Sequence, residues 1–305
     1  MTYKLKIGSG RSISHLEKEL SRNFQWLQER GYALNIKCED IGKDHYLVIT
    51  LQGSSDSRFF RVKDIIYIFK YQLAEVLAEE ILTFWENDLV RKLVEKKYRR
   101  LPEAEKDALL QKALGFLQKC NDNESLNMLM RFGRKNRIAR RIFDHLHQTD
   151  LLVIDGFINF CLRDYLTEIK FAVELASEEI KNEKEYNEFI KLLRYFVDSQ
   201  APRILEVNLM VNDAGLFYMW DGEGNYIEDK YIDYYVDDIV VNNVNLDDIL
   251  VSILITIAPR RVVLHGPGKV PDNQSLQVIK KVFRDRIFTC GGCERCAGVV
   301  PRGQA

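Results

Sequence analysis

The feature that most limits what this chain can fold into is a change in the period of its apolar residues near Arg61. Beyond that point Ile65, Ile66, Phe69, Leu73, Val76, Leu77, Phe84 and Trp85 recur every three or four positions, which lines them along one face of a long helix. The period predicts helix from Arg61 to Arg100. Pro102, Glu103 and Glu105 then suit the first turn of another helix, where a fixed φ is tolerated and acidic groups face the positive helix end. Further helices are predicted over 124–147, 157–182 and 184–199. Gln200-Ala201-Pro202 ends the run, because proline cannot continue a helix and pushes its predecessor toward extended geometry.

The flanks have a different grain. Strands are expected at Tyr3–Ile7, Ala33–Cys38 and Tyr46–Leu51, with a helix over Ser14–Arg30, punctuated by Gly31, Gly42 and Gly53. After Pro202, Arg203–Val211 and Gly215–Trp220 read as a hairpin turning at Asn212-Asp213-Ala214, and Asp221 to Asn225 as another turn. Asn245 is placed to cap a helix over Ile249–Ile257, helped by Asp247 and Asp248 at its positive end, and Pro259 stops it. A strand at Arg261–His265, a helix at Gln274–Phe283 and a strand at Arg286–Thr289 complete the pattern. The expectation is an α+β protein in three stretches: a small α+β unit at 1–60, an all-helical region at 61–200, and a β-rich α/β unit at 201–305 with a cysteine-rich tail. A chain of 305 residues with 46% apolar content can fill cores of this kind.

Charge and hydropathy exclude several classes. The 44 basic and 45 acidic residues nearly cancel, so binding to nucleic acid or to an anionic membrane would need a local patch. The longest apolar run, Ile249 to Ala258, is interrupted by Ser252 and Thr256 and falls short of the roughly 18 residues that span a bilayer. No apolar run follows the charges of Met-Thr-Tyr-Lys-Leu-Lys-Ile, so neither a secretory signal nor a transit peptide is expected, and the cytoplasm is the expected location.

Cys38, Cys120 and Cys161 are scattered, whereas Cys290-Gly-Gly-Cys293-Glu-Arg-Cys296 is a cluster. That distribution argues against a disulfide framework. Thiolates two residues apart can point at one ion while the glycines let the backbone fold around it, so these three are candidate ligands for a metal, zinc first. A closed zinc site needs a fourth ligand. His265 is the candidate, because two strands joined by one helix can pair in parallel and bring their ends together. Spacing gives ligand type and not ligand count, so thiol–disulfide chemistry and thiols without a role stay open.

Arg131, Arg134, Lys135, Arg137, Arg140 and Arg141 concentrate cations on one predicted helix, and Arg134, Arg137 and Arg141 are the candidates for phosphate contacts. On a helical period they spread around the axis, which favours a solvated face paired with acids over a nucleic-acid stripe. Gly266-Pro267-Gly268-Lys269 lies between a strand and a helix but has Val263 and Val270 where a phosphate loop needs glycine and Ser or Thr; it reads as a turn. His145 and His147 point to different helix faces, and Asp237-Asp238 lacks metal-loop spacing. The common hydrolase, zinc-protease and dinucleotide signatures are missing from the sequence, which weakens an enzyme reading.

Several stretches together resemble the YtxC family, associated by name with sporulation in endospore-forming bacteria. They are Ile154-Asp-Gly-Phe-Ile-Asn-Phe160 with Arg163-Asp-Tyr165, Glu185-Tyr186 to Phe189-Ile190, Leu192-Leu193-Arg194-Tyr195-Phe196-Val197, and Ile257-Ala-Pro-Arg-Arg-Val-Val-Leu-His265 with the terminal cysteines. Cys161 stands where that pattern leads one to expect a basic residue, so the thiol inherits no role. The resemblance implies a biological setting and no mechanism. The expected function is a non-enzymatic cytosolic protein acting in sporulation through a protein partner, with a cysteine-based metal site. A metal- or thiol-dependent enzyme using the trio is the alternative, and a nucleic-acid binder using the 131–141 helix the second.

Overall fold

The computed structural model describes residues 2–42, 44–53, 61–119, 123–211, 217–227, 246–266 and 274–296. Cys120, the turn at Asn212-Asp213-Ala214, Asp237-Asp238, Asn245 and Pro267 to Lys269 lie outside the described residues, as does the side chain of Asp247. The protein is α+β with a long helical middle, and it divides into two compact units, 1–180 and 181–305.

In the first unit β1 (Thr2–Ser9), β2 (Tyr32–Ile41) and β3 (Asp44–Gly53) form an antiparallel meander, and β4 (Leu151–Val153) adds in parallel beside β1, giving the order β2-β3-β1-β4. Alternation puts Leu5 and Ile7 of β1 and Leu47, Ile49 and Leu51 of β3 on one buried face. That face shares a core with Leu16 and Leu20 of α1 (Ser14–Asn23), Leu27 of α2 (Gln25–Glu29), and Ile65, Phe69, Leu73 and Leu77 of α3 (Val62–Glu80). The helix predicted from Arg61 to Arg100 is one run with a π-helical turn at Ile81–Trp85 between α3 and α4 (Glu86–Lys97). α5 (Glu103–Gln118), α6 (Glu124–Gln148) and α7 (Ile154–Cys161) follow. The helices expected at 157–182 and 184–199 are instead a single one, α8 (Arg163–Ser199), because no Gly or Pro breaks the chain at Asn182-Glu183.

β4 escapes a periodicity reading because three residues carry no period, yet it sets up a half-buried polar node. Asp155, just past β4, accepts from the Gly10 amide at 2.7 Å, the Ser9 hydroxyl at 3.1 Å and the Trp85 indole at 3.3 Å. Burial alone would raise its pKa, but these three donors and the nearby Arg11 outweigh it and hold the carboxyl below the usual value. A depressed folded pKa means that the stabilisation is present above the unfolded value of about 3.9 and fades as pH falls through the folded value. Asp155→Asn is therefore expected to cost about 1–3 kcal/mol near neutrality, since one amide oxygen cannot serve all three donors. The gap from wild type should narrow below about pH 4. Urea unfolding at pH 7 and pH 3 checks it, and an equal gap at both would show that the charge contributes nothing.

In the second unit the order is β6-β5-β7-β8: β5 (Glu206–Val211) pairs antiparallel with β6 (Phe217–Asp221) and parallel with β7 (Arg261–His265), which pairs parallel with β8 (Ile287–Thr289). α9 (Leu246–Ile257) and α10 (Gln274–Phe283) supply Ile253, Leu254, Ile257, Leu276 and Ile279 to a core that also takes Val207, Leu209, Val262 and Leu264 from the strands. The last turns of α8 add Ile190 and Val197.

Candidate metal centre

A parallel β7–α10–β8 crossover sends the C-terminal ends of both strands to one sheet edge. Leu264 is opposite Thr289, and the Cys290 amide donates to the Leu264 carbonyl at 2.9 Å, so His265 and Cys290 leave the sheet side by side. Gly292 adopts φ 113°, a conformation that side chains resist, and this bend returns the chain toward the sheet. The next turn is closed by Cys296 N–H donating to the Cys293 carbonyl at 3.0 Å.

The result is a single cluster of His265, Cys290, Cys293 and Cys296, whose ligand atoms all lie within 4.8 Å of one another. His265 Nδ1 is 3.5 Å from Cys293 Sγ and 3.4 Å from Cys296 Sγ, and the two sulfurs are 3.6 Å apart. Bonds of roughly 2.0–2.3 Å around a tetrahedral zinc give ligand-to-ligand edges of about 3.4–3.8 Å. Three sulfurs and an imidazole at this spacing can hold one ion.

The imidazole is fixed in the tautomer a ligand needs. Asn208 donates from Nδ2 to the Asp221 carbonyl at 3.2 Å, which settles which end of its amide is nitrogen and leaves Oδ1 facing His265 Nε2 at 3.0 Å. An amide oxygen only accepts, so Nε2 carries the proton and Nδ1 keeps its lone pair toward the thiols. Burial, reinforced by Arg295 and opposed by Glu206, lowers the His265 pKa and favours the neutral ring. The Cys296 amide, with Arg295's as a lesser donor, pulls the Cys293 thiol down against the effect of burial. At Cys290 the Gly292 amide pulls the same way, but burial and the other two thiols leave it raised. His265 and Cys296 are buried, whereas Cys290 and Cys293 are partly exposed.

Asn208, Trp220 and Arg295 are parts of this centre that the sequence reading missed. The signal for Asn208 is an amide on a strand between Val207 and Leu209, at a position that turns out buried. Trp220 stacks 4.9 Å from the His265 ring but looks in the sequence like any strand aromatic.

Five of the six cations singled out on α6 have other occupations. Arg134 is buried; its Nη1 is 3.1 Å from Glu86, its Nε 3.2 Å from Glu168, and its Nη2 donates to the Leu117 carbonyl at 3.0 Å. Arg137 pairs with Glu168, and Arg141 pairs with Asp164 and donates to the Cys161 carbonyl at 3.1 Å. Arg131 and Lys135 face Glu79, and Lys135 also faces Glu75. His145 Nε2 reaches the Leu151 carbonyl, and His147 stacks on Tyr67 and Phe143.

The YtxC-like family model matches residues 71–288, more than two thirds of the chain, including His265 and ending just before Cys290. The chain is also 29% identical over 214 residues to a protein of Bacillus subtilis (strain 168) named "Uncharacterized protein YtxC", covering 70% of this chain and 74% of that one. No solved structure matches it significantly. No described helix is long and apolar enough to cross a membrane.

Proposed function

This chain belongs to the YtxC-like family, and on that footing we propose that it is a non-catalytic cytosolic protein acting through protein contacts in endospore formation, with a structural zinc site in its C-terminal unit. The observation that carries the zinc reading is the convergence of four ligand atoms within 4.8 Å, with the histidine tautomer already selected by Asn208. Four protein ligands fill a tetrahedron and leave no open position for water or substrate, which favours a structural role over a catalytic one. The cysteines described as free fit a reducing compartment. The sporulation setting rests on the association that the YtxC family, to which this chain belongs, carries by name.

A metal bound here ties β7, β8 and the loop after β8 together. Zinc would be held by Nδ1 of His265 and the three sulfurs, and the expected content is close to one equivalent per chain. Elemental analysis of protein purified without an affinity metal, under anaerobic reducing conditions, tests this against a Cys290→Ser/Cys293→Ser/Cys296→Ser variant. Zinc in wild type and none in the variant supports the reading. Equal content in the two, or none in either, overturns it.

A further inference from the structure

The loop that carries Cys293 and Cys296 also carries Arg295, and its guanidinium is placed with unusual care for a charged side chain. Its central carbon lies 4.6 Å from the centre of the Trp220 ring, the same ring that stacks on His265 at 4.9 Å. Its Nη2 is 3.2 Å from where a Cβ on Gly224 would stand, so the guanidinium packs closely on the turn after β6, where φ 95° favours glycine. Nη1 is buried and has no hydrogen-bond partner among the described residues. A buried cationic N–H without an acceptor is costly, and native proteins rarely leave one unless a partner is supplied from elsewhere.

Charge identifies that partner. Three thiolates and a neutral imidazole around a divalent ion leave one net negative charge. Glu206 adds negative potential at His265, although its carboxylate is 3.5 Å from Arg261, and Glu294 is exposed. Arg295 is the cation that acts on His265, from the loop that carries Cys293 and Cys296.

We infer that Arg295 is the charge partner of the metal centre, a positioning residue whose guanidinium, stacked on Trp220, neutralises the anionic three-thiolate site. This rests on the metal reading above. It accounts for a buried cationic nitrogen beside this site and for the aromatic ring shared by Arg295 and His265. Arginine suits the place better than lysine because a planar guanidinium can stack on the indole while its edge donates.

The test is zinc affinity of the full chain, measured by competition with a chromophoric chelator, for wild type, Arg295→Met and Arg295→Lys. Methionine preserves apolar packing on Trp220 and removes the charge; lysine keeps the charge and loses the planar stack. Affinity should fall about 10–100-fold in Arg295→Met and recover in part in Arg295→Lys, the size usual for partners just outside the ligands. Cobalt(II) spectra with the same sulfur-to-metal charge-transfer bands in all three would show that no ligand has been lost. If Arg295→Met does not fold, Arg295→Gln takes its place. A charge-free variant that binds zinc as tightly as wild type, or as tightly as Arg295→Lys, overturns the inference and leaves the zinc site standing. Wild-type protein that takes up no zinc removes both.

Discussion

On the zinc reading proposed above, stripping the metal with a strong chelator under reducing conditions is expected to open the β7–β8 edge of the second unit while the first unit keeps its protection. β8 is three residues long and pairs on one side only among the described residues, and the segment beyond it carries Cys290, Cys293 and Cys296 to the cluster with His265. So short an edge strand has little of its own to hold it. Structural zinc sites contribute apparent binding free energies of about 10–16 kcal/mol in small zinc-dependent folds, and that energy is folding energy when the site does not exist in the open chain. Here α9, α10 and the central strands have their own apolar core, so the loss should be local. Hydrogen exchange by mass spectrometry should therefore show faster exchange in Ile287–Cys296 and at the end of β7, with β1–β3 unchanged. Trp220, in contact with the His265 ring, should change its emission in the same titration. Identical exchange with and without chelator would mean that the cluster does not hold this edge.

The second large effect belongs to the first unit. Arg134, Glu86 and Tyr165 are buried together, with the Tyr165 hydroxyl donating to Glu86 at 2.9 Å and the Arg134 Nη1 at 3.1 Å. Burial, with the Glu86 charge and hydrogen bond reinforcing it, raises the Tyr165 pKa, so the phenol stays protonated and donates at any ordinary pH. Arg134→Ala strands the Glu86 carboxylate in the core and is expected to cost about 3–5 kcal/mol. Arg134→Met combined with Glu86→Leu and Tyr165→Phe removes both charges and the phenol that would otherwise lose its acceptor, and should recover most of that, because an apolar cluster has no desolvation cost to repay. Trp26 and Trp85 belong to the first unit, so urea unfolding followed by tryptophan emission in a Trp220→Phe background reports on that unit. A cost below about 1 kcal/mol for Arg134→Ala would mean that the pair behaves as a surface ion pair.

What the sequence made legible was local. Period and punctuation placed every described strand except β4 and most helix ends, because alternation and Pro or Gly act within a few residues. The π-helical turn at Ile81–Trp85 was invisible, since it keeps the apolar face running and shifts it by one residue. β4 and the pairing of β1 with it were equally hidden: three residues carry no period, and a pairing of Lys6 with Leu151 leaves no local mark. A change of period near Arg61 marks where one kind of element gives way to another and is silent on which stretches share a core. At the site, ligand types could be read from Cys290, Cys293 and Cys296, and His265 could be nominated from a β–α–β pattern. The supporting residues could not, because Asn208, Trp220 and Arg295 owe their relation to His265 to strand register and a loop bend. On α6 a run of arginines suggested one function, and the partners that define their roles lie on α3, α4, α7 and α8.

The pairing of β1 with β4 also has a consequence for synthesis. The β1–β3 meander is made first, and its buried face waits for α3 and the strand at Leu151 to complete the sheet. At roughly 5–20 residues per second the ribosome needs about 5–20 s to travel from Gly53 to Leu151. Until Leu151 is made, β1 has an unpaired edge that the finished sheet covers with β4, and an unpaired edge is a template for pairing with another chain.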